Sequence, residues 1–66
     1  MKRIVRKIMN HEPDGEDVQI GRMVIQSDRA TVVLEGDAEH EEFCGMAAAL
    51  NNVRQVRGFP RAYLDY

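Results

Sequence analysis

Apolar residues recur along this chain first at strand spacing and then at helix spacing, with the change near residue 37. Residues 2–9 set Ile4, Val5, Ile8 and Met9 among Lys2, Arg3, Arg6 and Lys7. A helix there would hold four positive charges against its own dipole, so the segment reads as a strand with both faces partly covered. NHEPDGED follows as a loop, with Pro13, Asp14 and Gly15 in the order a turn prefers. VQIGRMVIQ (18–26) and RATVVLEG (29–36) are rich in β-branched residues, and the link between them suits a short hairpin. Val18 and Ile20 share one parity, Met23 and Ile25 the other. Gly21 stands at the change, which points to a bulge or to a strand buried on both faces.

The second rhythm predicts a helix from Ala38 to Arg57. Asp37 is a suitable N-cap, and Glu39, Glu41 and Glu42 place negative charge in the first turns. Arg54 and Arg57 fall in the last turn, Gly58 takes the C′ position, and Pro60 stops continuation. The closing RAYLDY fits a short strand at a sheet edge. The pattern thus predicts an α+β fold, β-β-β-α with room for a terminal β. Its small antiparallel sheet of three to four strands is covered on one face by a single long helix.

On that helix Phe43, Met46, Ala47, Leu50 and Val53 share a face and form the stripe expected to cover the sheet. The back carries Cys44, Gly45, Ala48, Ala49, Asn52 and Gln55, small and amide-bearing residues in place of the usual Lys and Glu. Gly45 inside a helix is unfavourable by roughly 1 kcal/mol relative to alanine, and close approach of another chain would offset that. The plainer account is that alanines are good helix formers and the glycine is tolerated.

Composition narrows the functional classes. A single domain of 66 residues buries a modest core, and chains of this size commonly add disulfides, a metal or a second subunit. One cysteine cannot form an internal disulfide and fits a reducing, cytoplasmic setting. No apolar run approaches the length of a membrane span. The apolar content of 44% and charged content of 30% belong to a folded chain, and a net charge of −2 lacks the field of a non-specific nucleic-acid binder.

Candidate chemistry is sparse. His40 and Cys44, at i and i+4 of the predicted helix, would juxtapose a base and a thiol, but Glu41 and Glu42 beside them raise a thiol's pKa. The same pair with His11 falls short of the four ligands of a structural zinc site. No catalytic residues, cofactor or metal site is therefore expected. Glu12, Asp14, Glu16 and Asp17 form an acidic loop suited to steering a basic partner, or simply to solvation. Arg54, Arg57 and Arg61, interleaved with Phe59 and Tyr63 ahead of Tyr66, follow the logic of a single-strand nucleic-acid surface, or else close a small core.

The function expected from these residues is that of a small non-enzymatic protein-interaction module. It would be a regulator, adaptor or phage- or plasmid-type inhibitor of a larger complex, acting by surface binding as a homodimer through the helix back. The alternative is nucleic-acid binding through Arg and Lys residues, with Lys2, Arg3, Arg6 and Lys7 joining the arginines of the aromatic C-terminal tail.

Overall fold

In the computed structural model, residues 2–36 and 40–66 are described. Five strands and one helix follow in the order β1 (Ile4–Asn10), β2 (Val18–Gln26), β3 (Arg29–Leu34), β4 (Glu41–Cys44), α1 (Met46–Val56) and β5 (Ala62–Asp65). All pairings are antiparallel, and the sheet order is β4-β3-β2-β1-β5. The first four strands make a meander, and β5 returns past the helix to pair with β1 at the far edge. The predicted α+β class holds, with five strands instead of three or four and a helix of 11 residues instead of a long one.

The shortened helix is the main correction. Residues predicted as its first turns form β4, where Phe43 lies opposite Ala30 and Glu41 opposite Val32. Gly45 ends that strand at φ 97, ψ 153, a conformation open essentially to glycine alone, and α1 starts at the next residue. Gly45 is thus the corner between β4 and α1 and occupies no helix interior. The predicted cap at Asp37, with Ala38 and Glu39, lies outside the described residues. At the other end the reading is close: Arg57 caps the helix and Gly58 follows at φ 75.

The parity change at Gly21 is a bulge. Register slips between Ile8 and Met9, which face Gly21 and Gln19, so Ile20 is the additional residue on β2. Beside it the strands come very close. A Cβ on Gly21 would lie 2.3 Å from the Val33 carbonyl oxygen and 2.8 Å from Leu34 Cα, so no side chain fits.

The core lies between the sheet and α1. It consists of Ile8, Met23, Ala30, Val32, Leu34, Ala49, Val53 and Ala62, with Phe43, Leu50, Phe59 and Leu64 packed against it. Ala49 and Val53, one turn apart, are the buried positions of the helix. Met46 and Ala47, expected inside, are exposed. The helix packs on β3 and β4 and also on β5 at the opposite edge. Edges four spacings apart are about 19 Å distant in a flat sheet, whereas a helix is about 10–12 Å across. The sheet therefore curls around α1.

Two arginines fasten the helix to those edges. Arg54 Nε donates to the Ala62 carbonyl at 2.8 Å, holding β5. Arg57 pairs with Glu41, whose position opposite Val32 puts it on the helix side of β4. Among the described residues no helix is long and apolar enough to cross a membrane.

Candidate functional site, the open face of the sheet

Strand alternation divides the outward positions from the core ones. With Ile8, Met23 and Val32 facing α1, the register turns Val5, Lys7 and Met9 of β1, Arg22 and Val24 of β2, and Thr31 and Val33 of β3 to the other face. Glu42, Cys44, Tyr63 and Asp65 complete that face from the two edge strands. No helix or loop among the described residues covers it. Val5 remains 48% exposed, and Met9, Val24, Thr31 and Val33 are half-buried.

Charge on this face is unevenly matched. Arg29 Nη1 lies 3.5 Å from Glu42 Oε2, an exposed pair of small energetic weight. Lys7 and Arg22, by contrast, are direct cross-strand partners of like charge. Among the described residues neither side chain forms a hydrogen bond or an ion pair, although Asp65 stands opposite Lys7 on β5.

The acidic loop meets this face at one rim. Gly15 N donates to the Glu12 carbonyl at 3.3 Å, closing a turn around Pro13 and Asp14, and His11 N donates to the Arg61 carbonyl at 3.2 Å. Asp17 is anchored twice: the Tyr63 hydroxyl donates to Oδ2, and His11 Nδ1 lies 2.9 Å from Oδ1. Those partners, Tyr63 first, hold the Asp17 carboxyl below the usual aspartate range. The same bond raises the Tyr63 phenol above its ordinary value. Asn10 Nδ2 donates to Glu12 Oε1 at 3.1 Å. Of the four acidic residues singled out by sequence, Asp14 and Glu16 remain exposed and unpaired among the described residues.

The predicted helix back is not one surface. Cys44 is on β4 and points to the open face, Gly45 is the corner, and Ala49 is fully buried against the sheet. Asn52 is half-buried, with its Oδ1 enclosed and unpartnered among the described residues. Only Ala48 and Gln55 of the set are exposed on the helix. Starting the helix at Met46 accounts for the change, because Ala49 and Val53 then form its inner stripe. The strand in β4 also removes the i, i+4 helical geometry of His40 and Cys44, since extended residues four apart lie about 13 Å from one another.

The residues of the alternative nucleic-acid surface are mostly engaged within the fold. Arg54 and Arg57 hold the edges, Phe59 packs on the core, and Tyr63 binds Asp17. Arg61 is exposed, and the exposed Tyr66 ring lies under the Arg6 guanidinium at 5.2 Å. Lys7 belongs to the N-terminal basic set of that alternative, but its pairing with Arg22 is not legible in the sequence, because cross-strand partners depend on the bulge and on loop length.

No family model, no curated protein and no solved structure matches this chain.

Proposed function

We propose that this chain is a small, non-enzymatic protein-interaction module that works by surface binding, with the open sheet face as its working surface. The observation that carries the reading is the one-sided covering of the sheet. The helix covers one face, while on the other Val5 is exposed and Met9, Val24 and Val33 are half-buried, beside Lys7 and Arg22, which form no ion pair among the described residues. A sheet face left open with apolar side chains reaching water is a candidate contact surface, and the charges beside them would set its choice of partner. The module acts by occlusion or assembly, and its single cysteine fits a cytoplasmic setting.

A photo-crosslinking residue placed at Val24, in the cells that make the protein, tests the reading. Val24 should yield a discrete protein adduct, and the same probe at Ala48 on the exposed side of α1 should not. Absence of any adduct at Val24, or recovery of nucleic acid there, would overturn it.

A further inference from the structure

Resting on the reading of the open face as the working surface, we propose that its occupant is a second copy of this chain. The two copies are related by a two-fold axis that lays the acidic loop of each over the Lys7–Arg22 pair of the other. Like charges directly opposite one another weaken a sheet, and among the described residues neither side chain of this pair is in an ion pair, although Asp65 stands opposite Lys7. The matching negative charge belongs to the same chain, on Glu12, Asp14 and Glu16, all exposed.

The loop is held in place, not free to wander. Its turn, the His11–Arg61 backbone bond and the double anchor on Asp17 fix it, so little ordering remains to be done on association. Tyr63 projects from the open face, and its bond to Asp17 draws the loop to the rim of that face. Along β1 the three-residue step from Asn10 to Lys7 is about 10 Å. An axis near Met9 therefore carries the loop of one copy over the basic pair of the other, twice by symmetry. Val5, Val24 and Val33 around the pair supply the apolar part of the contact.

A partial overlap of two such faces buries roughly 1,000 Å², at the lower edge for a specific interface, so a micromolar dimer is expected. A core of eight small to medium residues is consistent with a chain that gains from a partner.

Sedimentation equilibrium of the full chain up to about 1 mM, at about 50 mM and then about 500 mM salt, should show a dimer that weakens at least tenfold as charges are screened. Lys7→Glu with Arg22→Glu should be monomeric, and so should Glu12→Lys with Asp14→Lys and Glu16→Lys. Mixed in equal amounts, the two variants should form a heterodimer, because the reversed face then meets the reversed loop and the native face meets the native loop. Circular dichroism checks their folding. If the reversals unfold the chain, Lys7→Gln with Arg22→Gln should still weaken the dimer at least tenfold. A wild-type chain monomeric throughout, a dimer indifferent to the face reversal, or no heterodimer from folded variants would each overturn the proposal. So would an acidic peptide or an oligonucleotide that binds the pair in place of self-association. A protein adduct at Val24 other than the chain itself would leave the open-face reading standing while removing this occupant.

Discussion

The Tyr63 hydroxyl donates to Asp17 across 46 positions of sequence, tying the β1–β2 loop to the last strand. The sequence pattern places Tyr63 with the basic tail and Asp17 with the acidic loop. Their bond joins the two sets and fixes where the Tyr63 ring stands.

This bond makes stability pH-dependent in a defined direction. The Asp17 pKa is lowered in the fold, chiefly by Tyr63, so its contribution is present above the unfolded carboxyl value and lost as pH falls through the folded one. That places the loss below about pH 4. The Tyr63 pKa is raised, so its contribution is complete below about pH 10 and lost as pH climbs further. Tyr63→Phe should move the Asp17 titration, followed by carboxyl NMR, back up toward the ordinary aspartate value. An unchanged Asp17 titration would show that the hydroxyl is not its main partner.

Gly45→Ala discriminates between a helix interior and a corner by sign alone. Inside a helix the change would stabilise by roughly 1 kcal/mol. At φ 97 and ψ 153 it should instead destabilise by about 1–3 kcal/mol, although nothing lies within 4 Å of the new Cβ. Thermal unfolding reads this directly, as a midpoint lowered by at least ~4 °C. A raised midpoint would restore the longer helix.

Gly21→Ala tests the close approach of β2 and β3. Its Cβ would meet backbone atoms, which cannot swing aside as a side chain would. The loss should reach about 3 kcal/mol or more in denaturant unfolding, the upper part of the overpacking range. A loss under about 1 kcal/mol would mean that the strands stand further apart at the bulge.

Arg54→Met keeps the aliphatic stem and removes the donor to the Ala62 carbonyl. It should cost about 1–2 kcal/mol and speed amide exchange in β5 more than in β2 or β3. Uniform acceleration across the sheet would count against a local role in fastening β5.

The sequence by itself determined the elements whose character is local. Alternating β-branched residues in 18–26 and 29–34, the turn around Pro13 and Asp14, and the stop at Gly58 depend on side chains a few positions apart. The terminal strand was also legible in RAYLDY as an edge candidate. Tertiary structure decided the fate of residues 41–44. Their glutamates suit a helix start, yet pairing with β3 and the glycine corner at Gly45 make them a strand. Moving the helix start rotated every later residue, burying Ala49 and exposing Met46. The site depended on register as well. Lys7 and Arg22 meet only because one bulge and one loop length set β1 against β2, and Asp17 finds Tyr63 only because β5 pairs with β1. Local rules specify which residues form a strand; long-range pairing specifies which charges become neighbours.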